Sequence, residues 1–112
     1  MPAPVDVERT EDGRYVVVRG RRWRATDPAV PEDVAAVLRR ELMSARRAVG
    51  DALRSGDEQA ERAARARVQR TKTALGERGT PWWEQDLEER RARWEAGLPE
   101  PSQPPTVEPP TA

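Results

Sequence analysis

The sequence predicts an α+β domain: a short antiparallel β-meander packed on a long αα-hairpin, then a third short helix and a disordered Pro-rich C-terminal tail. Three observations carry that prediction. Asp12-Gly13 is a hairpin dipeptide between valine-containing segments, because both residue types tolerate the positive φ of a tight turn. Apolar residues then recur at three- and four-residue spacing from Val34 to Leu53 and again from Ala60 to Leu75, the period of helices with one buried stripe. Finally, six of the fourteen residues after Leu98 are proline and none is aromatic, a composition that builds no core. The domain therefore spans 1–98, with 1–4 expected to be disordered, and the tail spans 99–112.

Residues 5–26 read as the meander. A two-residue loop at Asp12-Gly13 sets Glu11 opposite Arg14 and Val7 opposite Val18. The next turn, Arg19-Gly20, is the weaker signal, since arginine suits its first position poorly. The resulting register pairs Val16 with Trp23 and Tyr15 with Arg24, and cross-strand partners share a face. Val16, Val18, Trp23 and Ala25 thus form one face, for which the helices are the expected lid. Tyr15, Val17, Arg22 and Arg24 form the other.

Asp27-Pro28-Ala29-Val30-Pro31 ends the sheet. Pro31 suits a first helical position, and Glu32 and Asp33 follow where the helix dipole favours negative charge. The first helix runs to about Arg54, with Val34, Leu38, Leu42, Ala45, Val49, Ala52 and Leu53 as its stripe. Ser55-Gly56-Asp57 breaks it. A second helix runs to about Leu75, with Ala60, Ala64, Val68, Thr71 and Leu75 inward, and so short a turn makes the pair antiparallel. After a break at Gly76-Glu77-Arg78-Gly79, Thr80 reads as an N-cap and Pro81 as the first residue of a third helix ending near Ala96. That phase puts Trp83, Leu87 and Trp94 on the buried side. Trp23, Trp83 and Trp94 are expected to be mostly buried, and Trp82, aligned with Asp86, Glu89 and Arg93, to be the more exposed.

The composition closes several chemistries. There is no cysteine and no histidine, which removes thiolate nucleophiles, disulfides, the commonest metal ligand and the usual general base near neutrality. No phosphate-binding Gly-rich loop or nucleophile elbow is present. No enzyme activity, cofactor, metal or small-molecule ligand is therefore expected. The N-terminus lacks the pattern of a signal peptide, and no run approaches the roughly 18 apolar residues of a membrane span, so a cytoplasmic protein without membrane contact is expected.

The 20 basic and 20 acidic residues cancel, leaving no whole-molecule field to attract nucleic acid. They are unevenly placed: residues 13–26 hold five arginines and no acid, whereas 84–95 hold five acids against three arginines. The candidate binding surface is Tyr15, Arg21, Arg22 and Arg24, a basic strand suited to phosphates or an acidic protein patch, with Trp82 as an aromatic anchor. The competing reading is a solvated face whose guanidinium groups meet the acids of the third helix. A basic run on the second helix, Arg62 to Lys72, would join a nucleic-acid surface only by falling on the same side as residues 21–24. Gly76-Glu77-Arg78-Gly79 fits the bare G-x-x-G of KH-type loops, but no strand follows it. The expected partner is a protein or a second copy of the chain, engaged through the helical hairpin, with nucleic acid as the alternative.

The stretches Gly20-Arg21-Arg22-Trp23-Arg24-Ala25-Thr26-Asp27-Pro28-Ala29-Val30-Pro31-Glu32, Glu41-Leu42-Met43-Ser44-Ala45-Arg46-Arg47-Ala48-Val49 and Ala74-Leu75-Gly76-Glu77-Arg78-Gly79-Thr80-Pro81-Trp82-Trp83-Glu84 together resemble a family of small proteins from high-GC Gram-positive bacteria. The resemblance covers roughly residues 13–84. Some members carry the label "biopolymer transporter Tol", to which the residues of this chain lend no support. The chain departs from the family pattern at Arg19, where an aspartate tends to precede the glycine. The resemblance implies no catalytic residues.

Overall fold

The computed structural model describes residues 7–99. The expectations for residues 1–4 and for the Pro-rich tail beyond Pro99 lie outside them. Three strands, β1 (Val7–Arg9), β2 (Tyr15–Val18) and β3 (Arg21–Arg24), form an antiparallel sheet in the order β1-β2-β3. Two long helices follow, α1 (Glu32–Ser55) and α2 (Glu58–Ala74), then a single 3-10 turn over Trp82–Glu84 and a short α3 (Leu87–Gly97). This is the α+β arrangement the sequence predicts. No helix of the described residues is long and apolar enough to cross a membrane.

The register is also the expected one, with Val7 opposite Val18, Val16 opposite Trp23 and Tyr15 opposite Arg24. The turns exchange character, however. Arg19 (φ 53) and Gly20 (φ 79) are both left-handed, so the tight primed turn is the one that looked weaker. At the first turn only Gly13 is left-handed. There Thr10 N–H donates to the Tyr15 carbonyl (2.9 Å) and Gly13 N–H to that of Thr10 (2.8 Å), a longer loop that keeps the same pairing. The Asp12 carboxylate accounts for this: it accepts the Thr10 hydroxyl (2.6 Å) and Arg14 N–H (3.0 Å), giving the backbone a local alternative to the two-residue turn.

In α1, Pro31 sits one residue earlier than expected, at the N-cap rather than inside the helix. Between α1 and α2, Gly56 is left-handed and Asp57 caps α2, accepting Ala60 N–H at 2.9 Å. The hairpin is further tied by Arg67, which reaches across to Glu41 (2.9 and 3.0 Å) and to Ser44 (3.0 Å). These hydrogen bonds hold the Glu41 carboxyl below its usual range, against the opposing effect of burial.

The core lies at one end of the hairpin, where Ala35, Leu38 and Leu42 of α1, Ala74 and Leu75 at the end of α2, and Trp94 of α3 meet Val30. Towards the far end the buried contacts are Ala52 and Ala64, too small to shield their neighbours, and the stripe positions Leu53 and Ala60 are exposed.

The third helix differs most from the sequence reading. Thr80-Pro81 opens only the 3-10 turn, Gln85 is extended, and α3 starts after Asp86, which forms a capping box with Glu89. The 100° phase linking the tryptophans to α3 is thereby broken. Trp82 turns inward and is buried, while Trp83 is half-buried and Leu87 exposed. The expected order of Trp82 and Trp83 is reversed.

Candidate functional site

The loop that leaves the sheet, the loop that leaves α2 and the inner side of α3 converge on Asp27. Its side chain is fully buried. It accepts Arg90 Nε at 3.0 Å, a second bond from Arg90 Nη2, one from Arg93 Nη2, and Ala29 N–H at 2.8 Å. Burial alone would raise this carboxyl; the hydrogen bonds from both arginines and Ala29 outweigh it and hold the group below its ordinary range. Arg90 is in turn pushed up by the same contact. Arg93 also donates to Gln85 (2.6 Å) and to the Ala74 carbonyl (3.3 Å), and Asp27 N–H donates to the Leu75 carbonyl (2.9 Å). Gly76 packs so closely here that a Cβ on it would stand 2.9 Å from Asp27 Cβ and 3.1 Å from Trp82 Cδ1. Trp82 seals the other side, donating its indole N–H to the Ala25 carbonyl at 3.0 Å beneath the Arg90 guanidinium. Among the described residues no buried side-chain nitrogen or oxygen lacks a hydrogen-bond partner, and the cluster ties the end of the sheet to α3.

From that anchor the sheet presents two faces. On one, Tyr15 lies edge-on to Trp83 (5.6 Å), Arg22 covers Tyr15 (4.3 Å), and Arg14 and Arg24 approach Trp83 at 4.8 and 5.7 Å. Arg24 also donates to the Gly79 carbonyl at 2.8 Å. Three expected site residues, Tyr15, Arg22 and Arg24, therefore stand together, yet their cations are stacked on this chain's own rings. Among the described residues neither Arg22 nor Arg24 forms an ion pair with α3. The expected anchor Trp82 belongs to the core instead, and Trp83 takes its place on this surface. Arg21 lies on the opposite face, its guanidinium 4.5 Å from the Trp23 ring.

That opposite face was expected to lie under the helices. Only Ala25 does: Val16 and Val18 are half-buried and Trp23 is 41% exposed. The strands and the hairpin are held apart, because the sheet is tied through its end at Ala25, Thr26 and Asp27 rather than through its side chains. Between them runs a cleft of about 500 Å³, floored by Val16, Val18, Trp23 and Ala25 and walled by Arg9, Arg24, Thr26, Arg46, Lys72 and Glu77. Lys72 reaches to 5.6 Å over the Trp23 ring. Desolvation lowers its pKa, with Glu77 opposing and Arg78 and Arg46 reinforcing the shift. The one acid in the wall, Glu77, accepts the Thr26 hydroxyl at 2.8 Å. A second hollow of about 360 Å³ on the hairpin is lined by Arg46, Val49, Arg65, Val68, Gln69 and Arg78 and shares Arg46 with the cleft.

The sequence reading missed Arg9, Arg46 and Lys72 as members of one site, and Asp27, Arg90 and Arg93 as a cluster. Lys72, the chain's sole lysine, carried the only local signal. No protein-family model, curated protein or solved structure matches the chain.

Proposed function

We propose that the protein is a small non-enzymatic interaction module of the cytoplasm, whose working surface is the cleft between sheet and helical hairpin. The partner it takes is an acidic protein segment carrying an apolar side chain. One observation carries this reading: an aliphatic and indole floor lies open under a rim of Arg9, Arg46 and Lys72. Burying a leucine-sized side chain on such a floor contributes about 1.5–3 kcal/mol. The rim adds orientation and a faster encounter with carboxylates. The helical hairpin takes part through Arg46 and Lys72.

A second reading has one observation in its favour. Arg21 and Lys72 both flank the Trp23 ring, as around a stacking platform for single-stranded nucleic acid. The floor is otherwise valine and alanine, which suits aliphatic side chains better than the successive rings that track a strand. The two readings separate in a fluorescence-anisotropy titration of a labelled Glu/Leu amphipathic peptide against a labelled single-stranded RNA. The peptide is expected to bind with an affinity that falls as salt rises. Lys72→Glu is expected to weaken it by about tenfold or more, or at least ~1.4 kcal/mol, while Arg22→Ala on the other face leaves it unchanged. RNA binding tighter than peptide binding, with a log–log salt slope near 0.7 per phosphate contact, would replace this reading with the second. Failure of both probes, or indifference to Lys72→Glu, would remove the cleft as a site.

A further inference from the structure

We infer that the cleft's occupant is a second copy of this chain, which inserts the acidic shoulder around Leu87. The inference rests on the reading of the cleft as a docking surface for an acidic segment. The shoulder has the matching chemistry. Leu87 is 68% exposed as the first residue of α3, with Glu88 next to it and Glu84 three residues before it in the chain. The other acids of this region are engaged: Asp86 and Glu89 cap each other's backbone N–H groups, and Glu95 pairs with Arg91 at 3.2 Å. Glu84 and Glu88 are exposed and, among the described residues, have no ion-pair partner. An apolar side chain flanked by two free carboxylates is thus offered on one part of the molecule. An apolar floor flanked by Arg9, Arg46 and Lys72 is offered on another.

The two surfaces do not satisfy each other within one chain. The Asp27 cluster clamps α3 to the end of α2 and to the loop after β3, and among the described residues no ion pair joins Glu84 or Glu88 to the cleft cations. The match can be made only between molecules. Two such contacts exchanged about a two-fold axis close a dimer; contacts made in one direction only extend a chain. Both forms use the same residues.

Sedimentation velocity over a concentration series, at low and moderate salt, tests the contact with the whole protein. Self-association that weakens as salt rises is expected. Lys72→Glu and Glu84→Lys/Glu88→Lys are each expected to leave a monomer, and Leu87→Ser to weaken association by roughly tenfold. All but Lys72 of these positions are exposed, and unchanged circular-dichroism melts verify the fold of every variant. An equimolar mixture of the Lys72→Glu protein and the Glu84→Lys/Glu88→Lys protein is expected to associate again, because the unaltered shoulder of the first then meets the unaltered cleft of the second. A monomer at every concentration, or no recovery in the mixture, overturns the inference. If the wild-type chain is monomeric yet still binds the Glu/Leu peptide through Lys72, self-docking falls and the docking cleft stands. If it binds neither, both readings fall.

Discussion

Replacing Asp27 by asparagine keeps its shape and removes its charge, which makes it the sharpest test of how this fold is held. The substitution leaves Arg90 and Arg93, whose side chains are only 15% and 8% exposed, without their shared anion. The new amide also turns a donor towards guanidinium groups that can only donate. Breaking a buried ion pair by removing one partner costs about 3–5 kcal/mol, against less than about 1 kcal/mol for an exposed pair. A domain of this size holds on the order of 5–15 kcal/mol in total, so Asp27→Asn is expected to bring the chain close to unfolding. With a urea slope of roughly 1–2 kcal/mol/M, the midpoint falls by about 1.5–5 M. The triple variant Asp27→Leu/Arg90→Met/Arg93→Met removes every charge at once and is expected to regain much of that loss. If the single variant is too unstable to measure, acid unfolding of the wild type supplies the readout. The folded-state pKa of Asp27 lies below the ordinary 3.8, so its contribution is complete above that value and is lost as pH falls through the depressed one. Arg93→Met should therefore raise the acid midpoint, and the exposed-pair control Arg65→Met should not. A urea shift for Asp27→Asn no larger than that of the control would refute the reasoning.

Two further substitutions test local geometry. A Cβ at Gly97 would stand 2.2 Å from Ala74 Cβ, so Gly97→Ala is expected to cost about 1–3 kcal/mol by forcing α3 off α2, read as a lower thermal midpoint. Ala74→Gly in the same chain should recover part of it, and an unchanged melt would dismiss the close crossing. Arg19→Asn relieves a left-handed arginine (φ 53) and is expected to stabilise the sheet by about 0.5–1 kcal/mol, seen as a higher urea midpoint with unchanged slope; a loss of stability would mean the Arg19 side chain holds the turn.

The elements whose signals are local were legible in the sequence. The two helices, the Ser55-Gly56-Asp57 break and the strand register all follow from spacing within one or two turns, and the structure keeps them; of the stripes it buries the end near Leu38 and Leu75 and leaves Leu53 and Ala60 exposed. What failed was extrapolation across an irregular segment. The spacing phases Trp82 and Trp83 on a helix that begins at Pro81, but α3 begins at Leu87, six residues later, and at 100° per residue no phase survives a 3-10 turn and an extended residue. Asp27 was hidden for a different reason. Asp-Pro is an ordinary turn signal, and nothing in its neighbourhood points to arginines 63 and 66 residues away. The lid expected over Trp23 failed because an apolar face shows that burial is favourable, not that the chain itself supplies the cover.

That last point bears on what the cancelled charge means. Equal numbers of acids and bases leave no long-range field, and a net charge near zero removes the repulsion that keeps copies of a protein apart. Segregation then decides how copies meet. With the cations gathered around the cleft and free carboxylates beside Leu87, attraction acts only within about 8 Å at physiological ionic strength. At that range it selects orientation rather than merely drawing molecules together. Contacts made this way weaken as salt screens them. Contacts made by exposed apolar groups such as Met43 and Leu53 would persist or strengthen in a salting-out ion such as sulfate. On the proposed self-docking, the sign of the salt dependence therefore distinguishes the cleft from the rest of the surface as the contact between two chains.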